Sequence, residues 1–320
     1  MAGDGWWQRR SGQVVPPGGV ADHRQGFLAR ARALPRWLQL VVGAALFLFV
    51  WYGLIGTLRA GIRPDPALRP TAQQLPAGGS VTVAMAARLI EREVDENSFT
   101  PNDPFFFPTG FARRTPAYQA GLIETVQTTV DALAERSPGP DLLAASKALA
   151  TPAGQWWLQA GWPPIVASAE RQFRRAGTAL VAYNQGLTDA KRTGPTPLSE
   201  KGLDDASTAA LAALVASVDA QAMAGDRMIR GEDAGNASVQ LASARGTAFA
   251  AAMLMRGLRD DNAAAIRLSG RAARWGEALD ALDAAAAISP IVTRQGDLVA
   301  IGYSLLIAAT AMRDILQEGG

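Results

Sequence analysis

Five carboxylates lie close together between residues 91 and 103, namely Glu91, Glu93, Asp95, Glu96 and Asp103. Two carboxyl groups placed on either side of a glycosidic bond can act as general acid and as nucleophile or base. A glycosidase-like pair is therefore one chemistry that these residues could support. Their spacing is not diagnostic, because acidic residues are also common on exposed helix faces. We keep hydrolysis as an alternative interpretation and not as the leading one.

The remaining sequence offers few residue types that do catalysis. The chain of 320 residues contains no cysteine, and His23 is its only histidine. This composition excludes disulfides, thiolate nucleophiles and Cys-ligated zinc, and it gives little support to a catalytic triad or a histidine-rich metal site. The sequence has no glycine-rich phosphate loop, no HExxH motif and no GxSxG motif. We predict no catalytic residue, no metal site and no cofactor.

Phenylalanines concentrate in ENSFTPNDPFFFPTGF, residues 96–111, which we call the Phe-rich loop. Its prolines push the residues before them into extended geometry, and Thr100–Asp103 fits a type I turn. Such a loop can pack its phenylalanines as a lid on its own domain, or it can present them as a pocket or docking surface. The candidate binding residues here are Asn97, Asn102, Asp103, Phe105, Phe106, Phe107 and Phe111.

Tryptophans form a second aromatic group at Trp156, Trp157 and Trp162, just before Pro163-Pro164. Tryptophans near a loop can stack on sugars or anchor a partner, although more often they staple the loop to the core. We include all three as candidate binding residues, with both interpretations open.

Tyr183 and Asn184 complete the candidate binding residues. They belong to a predicted helix that also carries Arg171, Arg174 and Arg175. The three arginines are interpreted as a solvated basic face, with pairing to carboxylates across the bundle as the alternative.

A stretch without any charged residue, WLQLVVGAALFLFVWYGLIGTL, runs from Trp37 to Leu58. At about 1.5 Å per residue it makes a helix of roughly 33 Å, which matches the hydrocarbon core of a bilayer. Arginines are more frequent before this stretch than after it, which predicts a cytoplasmic N-terminus. We predict an uncleaved inner-membrane anchor. A cleaved signal peptide and a twin-arginine signal at Arg9-Arg10 are the alternatives.

Two irregular segments flank the predicted anchor. Residues 1–36 hold six arginines against Asp4 and Asp22, a net charge of +4 that leaves −2 of the total +2 for the rest of the chain. We predict a cytoplasmic, basic, disordered tail there, which either sets topology only or places residues 24–36 as a helix on lipid headgroups. The Pro- and Gly-rich residues 59–80 predict a stiff linker that could hold the domain up to about 60 Å from the membrane.

Beyond residue 80, long runs of alanine, leucine and arginine predict helix almost everywhere. Proline and glycine breaks divide the predicted helices at about 81–96, 116–136, 141–150, 163–192, 202–229, 236–258, 262–286 and 297–317. The last has an apolar core of about 15 residues, which is short for a bilayer span and predicts a buried central helix. The predicted fold class is all-α, with one N-terminal transmembrane helix and an alanine-rich bundle of about seven helices in residues 81–320.

Several segments resemble one known family. EVDENSFTPNDPFFFPTG followed by PAYQAGL, GQWWLQAGWPPIVASAERQFRRAGTALVAYNQGL, RGTAFAAAMLMRGLRDDN and RWGEALDALDAAAAISPIV are similar, in this order, to the bacterial domain-of-unknown-function family 2333. The resemblance extends through GYSLLIAATAMRDIL and covers most of residues 81–317. It implies a single-pass inner-membrane protein of Gram-negative bacteria and supplies no activity. The chain departs from the family pattern at residues 112–114 and 294–297, which favours a structural or binding role.

Topology and composition together predict a non-enzymatic cell-envelope protein, an interaction or scaffold protein whose main domain is periplasmic. Its predicted partners are the lipid bilayer, through Trp37–Leu58, and an envelope protein bound by the Phe-rich loop or the tryptophans. The alternatives are a periplasmic glycan-binding or hydrolytic domain that uses the acidic residues near 91–103, and a subunit of a transport or secretion machine. Nucleic acid is excluded as a partner, because the main domain is slightly acidic. The small residues Gly53 and Thr57 are compatible with a homo-oligomer.

Overall fold

The computed structural model describes residues 35–55, 61, 64–158, 162–187 and 203–317. Within these ranges all regular elements are helical, apart from one antiparallel bridge between Leu158 and Ile165. The predicted all-α class is confirmed. The basic tail up to residue 34, Thr57 and the predicted helix break at 193–197 lie outside the described residues.

The described residues form ten α-helices, which we number in chain order. Their bounds are α1 Arg36–Leu48, α2 Val81–Glu91, α3 Arg114–Arg136, α4 Pro140–Leu149, α5 Ala169–Leu187, α6 Asp205–Ile229, α7 Ala237–Asp261, α8 Ala263–Ser269, α9 Ala272–Ala287 and α10 Gln295–Gln317. Two π-helical stretches continue α1 and α2, over Phe49–Ile55 and Arg92–Glu96.

Three helical stretches are long and apolar enough to cross a membrane, at Arg36–Ile55, Asp205–Ile229 and Gln295–Gln317. In the most apolar part of Arg36–Ile55 no residue is buried. The corresponding buried share is 39% in Asp205–Ile229 and 44% in Gln295–Gln317. The prediction that the last helix is too short to span a bilayer is therefore wrong, because α10 is long and apolar enough to do so. One face of α10 is buried, with Leu298, Leu305 and Met312 in the core.

The connections between the bundle helices gather at two ends. At one end, which we call the loop end, Arg174 of α5 pairs with Asp95 after α2, at 2.6 Å between Nε and Oδ1. At the same end Gln295 Nε2, at the start of α10, donates to the Ile229 carbonyl at the finish of α6, at 3.1 Å. At the opposite, far end, the start of α2 meets the finish of α7, where Thr82 Oγ1 donates to the Asp261 carboxylate.

Small residues let the central helices approach closely. A Cβ added at Gly246 in α7 would lie 2.0 Å from the carbonyl oxygen of Tyr118 in α3, and one at Gly121 would lie 2.5 Å from the Ser243 carbonyl oxygen. Side chains pack above and below this crossing, where the Tyr118 and Phe249 rings stack at 6.5 Å between centroids. The backbones are in contact here, so only glycine fits at these two positions.

The buried faces of the helices follow the predicted periodicity, whereas the bounds of two helices differ from the predicted ones. The predicted inward residues Phe173 and Leu180 of α5 are fully buried. However, α5 begins at Ala169 and not at Pro163, because the residue before a proline favours extended backbone and residues 162–168 remain irregular. The predicted 262–286 helix is divided at Gly270, whose φ of +69° is left-handed.

The described part of the predicted linker does not form a free spacer. Leu68 is buried in the bundle core, and Gln74 Nε2 donates to Glu91 Oε2 at 2.8 Å. Asn184 Nδ2 donates to the carbonyl of Gln74 at 2.9 Å, which fixes the same segment to α5. Residues 64–80 thus pack on the bundle and lead to Ser80 at the far end.

Candidate functional site

The base of the Phe-rich loop is fixed from below by polar contacts. Thr100 donates to Gln119 Oε1 through both its backbone N–H and its hydroxyl, each at 2.9 Å. The N–H of Asp103 donates to the carbonyl of Thr100 at 3.1 Å, which closes the predicted turn. Asp103 also accepts a hydrogen bond from the hydroxyl of Thr109. The loop is therefore anchored at its base and its tip projects away from the bundle.

One phenylalanine of the loop points inward and the other four point outward. Phe99 is buried and meets Phe173 edge-on at 5.4 Å between ring centroids. The outward rings have large exposed fractions: Phe105 71%, Phe106 46%, Phe107 40% and Phe111 67%. The loop is therefore not a lid that buries these four rings.

The two aromatic segments predicted from the sequence meet at the loop end. Phe106 lies between Phe105 and Phe107 and also contacts Trp156, at 6.0 Å between centroids. Trp156 in turn contacts Trp157 at 5.2 Å. We call Phe105, Phe106, Phe107, Phe111, Trp156 and Trp157 the aromatic surface. The third predicted tryptophan, Trp162, is 92% exposed in the turn between the bridged residues Leu158 and Ile165.

The end of the apolar helix that begins with α1 touches this surface directly. Trp51 Nε1–H donates to the carbonyl oxygen of Phe106 at 3.0 Å. The hydroxyl of Tyr52 donates to the carbonyl oxygen of Phe105, also at 3.0 Å. The Tyr52 ring meets Phe111 edge-on at 4.9 Å between centroids. Trp51 and Tyr52 are not among the candidate binding residues predicted from the sequence, and the structure adds them to the site.

A buried polar cluster supports the loop from the bundle side. The π-helical stretch after α2 turns Arg92, Glu93 and Val94 inward in succession. Arg92 and Glu93 form an ion pair, and the Arg92 guanidinium lies 5.1 Å from the centroid of the Phe249 ring. Gln119 Nε2 donates to Glu93 Oε2 at 3.2 Å.

Burial raises the pKa of Glu93, against the opposing effects of Arg92 and of the hydrogen bonds that its carboxylate accepts from Gln119 and Asn97. Gln119 connects this carboxylate to Thr100 at the loop base. The candidate residue Asn97 donates from Nδ2 to Glu93 Oε1 at 3.0 Å and so belongs to the same cluster. The conformation of the Phe-rich loop therefore depends on a buried charged group.

The other predicted carboxylates lie around the finish of α2 and accept hydrogen bonds from nearby side chains. Arg88 reaches Glu91 at 3.1 Å and Glu96 at 2.5 Å, and Asp95 pairs with Arg174. Because Arg174 pairs with Asp95, it agrees with the alternative interpretation of the arginines on α5, namely pairing with carboxylates across the bundle. Among the described residues, no group of three or more histidines, cysteines or carboxylates is arranged to hold a metal ion.

A cleft of about 610 Å³ opens on the bundle side of the Phe-rich loop. Its lining includes Asp103, Thr109 and Arg113 from the loop region and Asn236 from the start of α7. The candidate residue Asn102 is buried beside it and donates to the carbonyl of Gln155 at 3.4 Å. That contact ties the Phe-rich loop to the tryptophan segment.

Burial also raises the pKa of the neighbouring Glu170, where Asp103 and Asp95 add to the effect and Arg174 opposes it. A partly buried carboxyl group therefore lies beside the acidic residues of the loop end. Its raised pKa makes the protonated form more accessible there than in water.

Tyr183 and Asn184 do not join the aromatic surface. Asn184 is fully buried near the far end, where it accepts from the N–H of Ser80 and donates to the Ser80 carbonyl, both at 2.9 Å. Tyr183 is buried beside it and lies 3.6 Å from a Cβ added at Gly139. Asn184 thus positions the segment that leads into α2, and Tyr183 packs beside the connection between α3 and α4.

No protein-family model matches this chain, and neither a curated protein nor a solved structure matches it significantly. Membership of family 2333 stays a prediction that rests on the sequence segments quoted above.

Proposed function

We propose that this protein is a single-pass inner-membrane protein with a cytoplasmic N-terminus and a periplasmic helical bundle. In this proposal the bundle lies directly against the membrane and serves as a non-enzymatic interaction or scaffold protein of the cell envelope. The observation that carries the proposal is the contact of Trp51 and Tyr52, at the end of the apolar helix, with the Phe-rich loop. It supports an anchor that holds the loop end of the bundle at the bilayer surface.

The environments of the three apolar helical stretches support a single span. No residue between 36 and 55 is buried in the protein, as expected for a helix surrounded by lipid. The other two stretches contribute one face each to the bundle core, and Arg313 of α10 pairs with Asp219 of α6 at 2.5 Å. Charged residues are costly at the centre of a bilayer, which favours a place for α6 and α10 in the water-soluble bundle.

The state of the carboxylates supports a role without catalysis. A glycosidase needs two carboxyl groups that face a common substrate. Here Glu93 is buried against Arg92, while Glu91, Glu96 and Asp95 are engaged by arginines on the surface of the bundle. We propose that the exposed aromatic surface, and not an active site, is the functional feature of this domain. Assignment to family 2333 is part of this proposal.

The cleft favours one second candidate function, a periplasmic glycan-binding or hydrolytic domain. The cleft places Asp103, Arg113 and Asn236 around a volume that would admit a sugar unit or a short glycan. Titration calorimetry of the full chain with muropeptides tests this candidate. Binding heat that is lost in Asp103→Ala would support it, and the absence of both heat and turnover would exclude it.

Topology is tested most simply with single cysteines, because the chain has none of its own. Leu268 is exposed at the far end of the bundle, and Ser11 lies in the basic tail. We expect Leu268→Cys to react with a membrane-impermeant maleimide in cells whose outer membrane is permeabilised, and Ser11→Cys to react only after lysis. The reverse pattern would contradict the proposed orientation, and reaction of both sites before lysis would contradict the anchor.

A further inference from the structure

We propose that the loop end of the bundle is a second membrane contact, in which the aromatic surface enters the headgroup region of the leaflet that the anchor leaves. This inference rests on the proposed anchor and adds a binding surface with a defined occupant, the lipid bilayer. It goes beyond a tether, because it places the side chains of the aromatic surface among the lipid headgroups.

The first argument is continuity with the anchor. Indole and phenol groups prefer the membrane interface, where the ring is in an apolar layer and the polar atom finds a partner. Trp51 and Tyr52 lie toward the second end of the charge-free stretch, near the last described residue of the helix, and their polar atoms donate to the carbonyls of Phe106 and Phe105. The tip of the Phe-rich loop is therefore at the same depth as the interfacial end of the anchor.

The second argument is the chemistry of the exposed surface. Contiguous exposed apolar side chains are uncommon on soluble proteins and mark sites of interaction. The loop end adds more of them to the aromatic surface, with Trp162 at 92% exposure and Ile291 at 96%. Ile165 and Val292 beside them are exposed as well. Three separate connections thus expose large apolar side chains at the one end of the bundle that meets the anchor.

The third argument is the position of arginines beside these apolar residues. Arg114 donates from Nη2 to the carbonyl of Pro290 at 3.1 Å, which joins the start of α3 to the connection that holds Ile291. Arg113 and Arg294 are exposed nearby. Guanidinium groups bind phosphate well and are attracted to anionic leaflets. Exposed aromatic and aliphatic side chains with arginines beside them fit a surface that rests on phospholipid headgroups.

The lipid bilayer is favoured over a protein partner by proximity. The proposed anchor keeps this surface beside lipid at all times. The second contact therefore needs no separate diffusional encounter. A protein partner would have to displace those lipids. The surface also lies around the base of the anchor, where a periplasmic partner could approach only along the membrane.

Depth-dependent quenching on the full-length chain tests the inference. Single cysteines at Phe105, Leu268 and Leu46 would carry an environment-sensitive fluorophore, in nanodiscs of phosphatidylethanolamine and phosphatidylglycerol that hold one chain each. Phe105 and Leu268 are a matched pair, because each is 71% exposed but they lie at opposite ends of the bundle. We expect lipids spin-labelled near the headgroup to quench the Phe105 site severalfold more than the Leu268 site. Circular dichroism of each variant checks that the bundle remains folded.

The Leu46 site separates failure of this inference from failure of the anchor. Leu46 lies in α1 and is exposed along that helix, so lipids spin-labelled deep in the acyl chains should quench it. Quenching at Leu46 with equal, weak quenching at Phe105 and Leu268 would overturn the inference alone and leave the surface to a protein partner or a second copy. Loss of quenching at Leu46 would overturn the proposed anchor and the inference together. A fluorophore at Trp162→Cys gives an independent second reading and should follow Phe105.

Discussion

Phe99 and Phe105 belong to the same loop but lie in opposite environments. Phe99 is 2% exposed and packs on Phe173, whereas Phe105 projects outward. Truncation of a buried phenylalanine removes apolar burial and leaves a cavity, so we expect Phe99→Ala to lower the free energy of unfolding by about 3–5 kcal/mol. Phe105→Ala should change it by less than about 0.5 kcal/mol, because an exposed side chain has few contacts to lose. Urea unfolding in detergent, followed by circular dichroism, measures both. Equal effects would mean that Phe105 packs on the bundle.

Glu93 gives the protein a pH dependence whose sign can be stated. Burial raises its pKa in the folded protein above the 4.5 of an unperturbed glutamate, so the folded state binds this proton more tightly than the unfolded state. The stability that Glu93 contributes is fully present below pH 4.5. It is lost as the pH rises through the raised pKa of the folded protein. Glu93→Gln cannot ionise, so we expect its melting temperature to fall less between about pH 5 and pH 8 than that of the native protein.

The slope against pH is the measurement for Glu93, not the melting temperature itself. The substitution also removes the Arg92–Glu93 ion pair, and a comparison of slopes separates that effect from the titration of the carboxyl group. Thermal unfolding of both chains at several pH values gives the two slopes. Parallel profiles would show that ionisation of Glu93 does not differ between the folded and unfolded states.

At the scale of elements, the crossing of α3 and α7 determines how tightly the bundle packs. A Cβ at Gly246 would collide with the carbonyl oxygen of Tyr118, since the two would be only 2.0 Å apart. We expect Gly246→Ala to lower the free energy of unfolding by about 3 kcal/mol or more, because the backbones must separate. Gly225 in α6 is the matched control, with no atom within 4 Å of an added Cβ. Gly225→Ala should be neutral or stabilising by up to about 1 kcal/mol. Similar losses at both positions would show that helix–helix distance is not the cause.

Sequence periodicity predicts the helix faces well and the local departures poorly. Phe173 and Leu180 recur at helical spacing and are buried as predicted. The π-helical stretch after α2 turns Arg92 and Glu93 inward beside Val94, and a regular 3.6-residue pattern predicts only Val94. The charged residues are held there by Gln119 and Phe249, which come from other helices. Contacts between distant segments decide these positions, and one sequence does not contain them.

The same limit applies to the candidate site. Composition singled out the Phe-rich loop and the tryptophans, but it left the lid and the docking surface as alternatives. The structure decides against a lid, because the outward rings are exposed and their carbonyls accept hydrogen bonds from Trp51 and Tyr52. Asn184 is also a predicted binding residue, but its contacts place it near the far end, apart from the aromatic surface. The aromatic content of the sequence indicates these residues. The hydrogen bonds from Trp51 and Tyr52 show that they lie beside the apolar helix.

At the scale of the whole molecule, the chain passes through the loop end before it forms the bundle. The apolar helix meets the backbone of Phe105 and Phe106, and residues 64–80 pack on the bundle and end at Ser80, which caps α2 at the far end. Leu68, Gln74 and Asn184 hold that segment in place. The segment before α2 thus joins the two ends of the bundle, and the aromatic surface lies at the end where the apolar helix finishes.

Crosslinking within the membrane tests the central claim, that the anchor ends against the Phe-rich loop, most directly. The full chain would carry cysteines at Tyr52 and Phe111, whose rings are 4.9 Å apart, or at Tyr52 and Leu268 as the control pair. After treatment of native membranes with a short bis-maleimide, we predict an intramolecular crosslink for the first pair and none for the second. Equal crosslinking of both pairs, or crosslinks only between chains, would contradict the claim.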